Sequence, residues 1–143
     1  MYKVVLDTNI FVAGYLSKNS MSYSAQMISM WISGTFVLVI SPQILREIVA
    51  KLIEKGVQED LIENFVVAVG EIGLRIPGAY ESTKLDKIAP DDNKFLAAAY
   101  ESKADFIVSY DKKSLLPLKH FHGTQIVSPE LFMRAMVGIS LED

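Results

Sequence analysis

The chain has 143 residues, half of them apolar and 22% charged, with a net charge of −3. That balance is too apolar for a disordered chain, suits one domain with its own core, and gives no overall basic footprint for nucleic acid. There is no cysteine, and the histidines are His120 and His122, which excludes disulfides, thiol nucleophiles and thiolate zinc sites and leaves oxygen ligands of the kind Mg2+ or Mn2+ takes.

Tyr2 to Leu6 reads as a short buried strand ending at Asp7. A looser stretch around Ser17 to Ser20 leads to a helix near Ser22 to Ile32, stopped by Gly34. This helix is rich in large adaptable side chains: Met27 and Trp31 suit the core, while Met21, Tyr23 and Met30 could serve a partner surface. Phe36 to Ile40 is an apolar, β-branched run bounded by Gly34 and Ser41-Pro42, hence a second buried strand. Ser41 then caps a helix with Pro42 at its first position, and Ile44, Leu45, Ile48, Val49, Leu52 and Ile53 recur at helical spacing until Gly56. Leu61, Ile62, Phe65, Val66 and Val69 continue the rhythm in another helix.

Leu74 to Ile76 is a weak third strand before Pro77-Gly78, and the polar stretch from Ala79 to Pro90 is the least structured part. Asp91 or Asp92 opens a helix running to about Ser102. Phe106 to Val108 is a fourth strand running on to Ser109, Gln125 to Val127 a fifth, and Ser128-Pro129 starts a last helix. His120-Phe121-His122 reads as a surface loop rather than a metal site. Strands alternating with helices predict an α/β fold, three layers α/β/α around a central parallel sheet of about five strands, as a single domain over residues 1–143. The longest apolar runs are far too short to span a bilayer, and Asp7 falls where a signal peptide would be apolar, so the expected location is cytoplasmic, with no membrane partner.

In open parallel sheets, ligands bind beyond the carboxyl ends of the strands. Asp7 follows the first strand and Asp111 the fourth by a short step. Asp92 projects onto the same helical stripe as Phe95, Leu96 and Ala99, where an unpaired carboxylate is costly. Asp91 lies nearer the edge of that stripe and suits a helix cap. Glu47 lies about 150° from the middle of its own apolar stripe, the angle of a solvated residue or of a cleft ligand. Taken singly, Asp7 and Asp111 read as well as turn or capping residues. Lys94, Lys112 and Lys113 stand close in sequence to these acids, as phosphate contacts or as surface decoration.

Taken together, four segments resemble those of the PIN-domain ribonucleases. Val4-Val5-Leu6-Asp7-Thr8-Asn9-Ile10 resembles the family's opening, Ser41 to Glu47 the stretch carrying its second acid, Asp91 to Ala97 the third, and Val108-Ser109-Tyr110-Asp111 the hydroxyl-x-Asp pair that closes the site. Their order is most similar to that of PIN proteins regarded as toxins of bacterial and archaeal toxin–antitoxin pairs. The resemblance implies that Asp7, Glu47, Asp92 and Asp111 hold one or two Mg2+ or Mn2+ ions for RNA hydrolysis, with Asn9 and Ser109 as supporting or phosphate-orienting groups. It also implies RNA as substrate, an antitoxin protein as partner, and a homodimer. The alternatives are another doubly wound phosphoryl-transfer protein, or a catalytically silent PIN-like binding module. A haloacid-dehalogenase-like phosphatase would need Asp-x-Asp where this chain has Asp7-Thr8-Asn9. A phospho-receiver domain would need an acceptor Asp after its central strand, where Ile40 is followed by Ser41-Pro42.

Overall fold

All the apolar runs expected to be strands are strands, and a sixth joins them. The computed structural model describes residues 1–142, with side chains through Gly138. Strands β1 (Lys3–Leu6), β2 (Val37–Ile40), β3 (Leu74–Arg75), β4 (Phe106–Val108), β5 (His120–Phe121) and β6 (Thr124–Val127) form one sheet in the order β3-β2-β1-β4-β6-β5. Every neighbouring pair is parallel except β5 with β6. In β1 and β4, successive residues point to opposite faces, yet Val4, Val5, Leu6, Phe106, Ile107 and Val108 are all buried. Both faces of the sheet are therefore covered, which is why these strands read as unbroken apolar runs.

The helices are α1 (Thr8–Leu16), α2 (Tyr23–Ile32), α3 (Pro42–Glu54), α4 (Glu59–Ile72), α5 (Asn93–Ser102) and α6 (Pro129–Glu142). Helix α5 lies on β1, β2 and β4. The rings of Phe11, Trp31 and Phe65, from α1, α2 and α4, meet with centroids 5.1 to 6.4 Å apart. Phe36 and Phe106 pack edge-on against Phe132 of α6. Such ring pairs are worth roughly 0.5–1.5 kcal/mol each beyond their buried area. Among the described residues, no helix is long and apolar enough to cross a membrane.

Two elements correct the sequence reading. Helix α1 follows directly on β1, where no helix was expected; it is apolar nearly all round, so it shows no one-sided rhythm. Its Gly14 lets α2 approach closely, because a Cβ there would come within 2.3 Å of Ile28 Cδ1. The segment His120-Phe121-His122 is not a plain loop: β5 pairs with β6 through a two-residue turn at His122 and Gly123, both with positive φ. That is the signature of a tight antiparallel hairpin.

Candidate active site

The chain order places a crevice before any side chain is considered. From β1 the chain passes to β2 on one side, while β4 lies on the other, so the connections diverge between β1 and β4. At such a switch point the strands' carboxyl ends open a cleft. Asp7 and Ser109 are the residues that leave those two strands, the Asp7 amide bonding to Val108 O at 3.0 Å.

Asp7 is the N-cap of α1, but its carboxylate caps nothing and lies in the cleft, 6% exposed. The fully buried Ser109 hydroxyl donates to it at 2.6 Å. Burial pushes the Asp7 carboxyl up to about 6; the Ser109 bond opposes the shift, and the charges of Asp92 and Glu47 add to it. Ser109 Oγ also accepts the Asp111 amide at 2.9 Å and so orients the turn that carries the last acid.

Glu47 reaches the cleft from α3, a helix started by Ser41, whose hydroxyl accepts from the Ile44 amide, and by Pro42. Its side chain is 27% exposed, and both oxygens are engaged: Thr8 Oγ1 donates to one, and Lys94 Nζ lies 2.6 Å from the other. The helical angle pointed to solvent because it measures distance from one apolar stripe. Helix α3 packs against both α1 and α5, and Glu47 fills the flank between them.

Asp92 closes a 3-10 turn, Pro90–Asp92, at the entrance to α5. Its side chain does not cap the helix; Ser114 Oγ donates to it at 2.7 Å and also contacts Asp111 Oδ2. A single hydroxyl proton cannot serve both carboxylates, so this pair shares a shortage of protons. Burial first, then the neighbouring charges of Asp111 and Glu47, pushes the Asp92 carboxyl up against the opposing Ser114 bond. Burial acts the same way on Asp111, but bonds from Ser114 Oγ and from the amides of Lys113 and Ser114 outweigh it and hold that carboxyl below the usual range.

The four expected acids thus meet at one crevice. Asn9 does not join them: it is exposed on α1, and its side chain takes no part in the bonds that tie the acids together. Its neighbour Thr8 does that. Asp91 is exposed and caps neither the 3-10 turn nor α5, contrary to its expected capping role. Three contributors escaped the sequence reading. Thr8 stood beside Asp7, and Ser114 stood three residues after Asp111, the offset at which a turn brings a side chain back. Lys94 was read as a phosphate contact or as surface decoration, not as the partner of Glu47.

The donor set is all oxygen and carries more charge than its surroundings neutralise, which suits a hard divalent cation. Among the described residues, no three acidic or imidazole side chains are close enough to grip one ion together as they stand. Lys94 and the hydroxyls of Thr8, Ser109 and Ser114 engage them instead.

Comparison with known proteins bears on the family and the fold. An uncharacterised protein of Methanocaldococcus jannaschii, MJ1680, is 28% identical over 144 aligned positions, covering 92% of this chain and 89% of that protein. The fold is similar to that of the VapBC2 structure from Rickettsia felis bound to a DNA fragment from its promoter, with a TM-score of 0.59 at 14% identity over 88% of this chain and 98% of that one. It is also similar to PAE2754 from Pyrobaculum aerophilum, with a TM-score of 0.55 at 14% identity over 96% and 90% of the two chains. FitAcB from Neisseria gonorrhoeae gives a TM-score of 0.53 at 14% identity, over 89% and 98%. At these identities the structural likenesses speak for the fold. The family model for the PIN domain matches residues 3–113, the stretch that carries all four acids, and the chain belongs to the PIN-domain family.

Proposed function

We propose that this protein is a metal-dependent endoribonuclease that hydrolyses RNA phosphodiester bonds at Asp7, Glu47, Asp92 and Asp111. The observation that carries the reading is the convergence of these acids at the β1/β4 crevice, with Asp7 and Asp92 pushed toward the protonated form by burial first and then by neighbouring acids, Asp92 and Glu47 for Asp7 and Asp111 and Glu47 for Asp92. A fold that needed only stability would not gather carboxylates where each disfavours the next. Bound Mg2+ or Mn2+ would neutralise that charge, activate water and stabilise charge on the phosphoryl oxygens.

The chain's own residues do the rest. The four acids would hold the ion or ions, and Ser109 fixes the orientation of Asp7. Ser114 holds Asp92 and Asp111 together. Lys94 pairs with Glu47 at 2.6 Å, and once released from that carboxylate it would be a cation suited to a phosphate oxygen. Asn9, exposed in the first turn of α1, would orient a phosphate, a role taken from the family resemblance.

We further propose that the protein is the toxin of a toxin–antitoxin pair, acting in the cytoplasm with a small antitoxin as its inhibitor. The VapBC2 and FitAcB likenesses and the order of the four acidic segments support this. The test is incubation of purified protein with structured and unstructured RNA in Mn2+, in Mg2+ and in excess EDTA. Cleavage is expected with either ion and none in EDTA; cleavage in EDTA would overturn the mechanism.

A further inference from the structure

Beside the acids, the loop after β3 passes over α5 and leaves a hollow of about 280 Å3. Ala97 and Ala98 of α5 line it, with Gln43, Tyr80, Glu81 and Asp86 around them. Lys94, the partner of Glu47, also lines it, so the hollow adjoins the acid cluster. A second hollow of about 340 Å3 continues from it, sharing Tyr80, Glu81 and Ala97 and adding Tyr100 and His122. Tyr80 and Tyr100 meet edge to face at 5.2 Å, as do Tyr100 and His122, and both tyrosines are about half exposed.

We propose that these joined hollows bind unpaired bases of the RNA strand next to the scissile phosphate, and that the first selects guanine. The proposal rests on the nuclease reading. Exposed aromatic rings beside a cleavage site offer faces on which unstacked bases can lie. Lys94, beside Glu47, is the group on the first hollow's wall that suits the backbone, while the Glu81 and Asp86 carboxylates repel phosphate and so face a base rather than the backbone. The acceptors on that wall are the Glu81 and Asp86 carboxylates, with Lys94 as its charged donor. Gln43 donates its amide to Gly78 O at 3.0 Å, and its own carbonyl oxygen is buried away from the hollow's open space, so it reads no base. Asp86 already accepts from Asn93 at 2.7 Å, which leaves the Glu81 carboxylate as the free one. Guanine alone among the four bases carries two adjacent donors, N1–H and N2–H2, on its pairing edge, the match for one carboxylate. Uracil sets a single N–H between two carbonyls, which a carboxylate would repel.

The experiment is an NMR titration of the metal-free protein with guanosine 5′-monophosphate and, separately, uridine 5′-monophosphate, whose shared phosphate cancels in the comparison. The expected result is shifts at the amides of Tyr80, Glu81 and Ala97, with the guanine nucleotide bound at least fivefold more tightly. Glu81→Gln should reduce that preference to less than twofold, and Ala97→Leu, which fills the wall common to both hollows, should remove the shifts. Equal affinities, or shifts confined to other parts of the molecule, would overturn the proposal. Mapping cuts on an unstructured RNA separates the two readings. Cutting without regard to guanine overturns this inference and leaves the nuclease standing. No cutting at all overturns the nuclease, while the titration still decides what the hollows bind.

Discussion

Asp7 shows what the site costs when no cation is bound. Its carboxyl is raised from 3.8 to about 6, so the folded protein binds this proton more tightly than the unfolded chain does. Stability from this residue is therefore greatest below pH 4 and falls as pH rises through 6, by about 3 kcal/mol at most. In EDTA, Asp7→Asn should match the wild type near pH 4 and become the more stable of the two by pH 7; urea unfolding at both pH values measures it. Added Mn2+ should reverse the order, since only the wild type keeps the full ligand set. A variant less stable at pH 7 in EDTA would mean that the Ser109 bond outweighs the burial. Lys94 poses a related question at Glu47. If the ammonium competes with the ion, Lys94→Met should tighten Mn2+ binding severalfold by calorimetry; weaker binding would show that Lys94 holds Glu47 in place instead. Asp7 and Asp92 were legible in the sequence, one by its place after a strand and the other by its place on an apolar stripe. Glu47 was named only by the family resemblance, because a helical angle does not say how many neighbours a helix has.

At the scale of elements, the entrance to α5 decides the roles of two adjacent acids. A continuous helix from Asp91 would have made that residue a cap worth about 1 kcal/mol. Instead, the 3-10 turn Pro90–Asp92 precedes α5, with no side-chain cap on either piece. Asp91→Ala should then change the melting temperature little, within the range of a neutral surface substitution, and leave cleavage intact. Asp92→Ala should abolish cleavage and leave the metal-free protein equally or more stable, because it removes a crowded charge. Thermal melts with a cleavage assay on both variants check this, and an inactive Asp91→Ala would reverse the assignment. Elements with a one-sided rhythm or a cap, such as α3 behind Ser41-Pro42, were readable from the chain. Helix α1 was hidden because burial on several sides erases periodicity, and β5 because a pair of residues is too short to show alternation.

For the whole molecule, the class of the sheet followed from alternating runs, but the meeting of distant residues did not. The residues Asp7 and Ser109 bond across 102 positions only because β1 pairs with β4, a register no local pattern reports. The same limit applies to the expected dimer surface. Met27 and Trp31 of α2 are buried in the core, which leaves Tyr23 and Ile32 as its exposed large apolar groups, with Met21 just before it. A larger apolar hollow, about 680 Å3, lies between α3 and α4, lined by Ile53, Val57, Ile62, Val66 and Val67 with Glu59 and Glu63. The end of α3 carries Lys51, paired with Glu54 at 3.1 Å, and Lys55, a net positive charge, while Glu59 and Glu63 lie toward the start of α4. A two-fold contact between copies could therefore set the basic end of one against the acidic end of the other while covering both apolar faces. Self-association is accordingly expected through α3 and α4 rather than through the Met-rich helix. Light scattering at micromolar concentration should give twice the monomer mass for the wild type and for Tyr23→Lys, and the monomer mass for Val67→Lys. A wild type that is strictly monomeric removes the dimer, and dissociation by Tyr23→Lys alone returns the contact to α2.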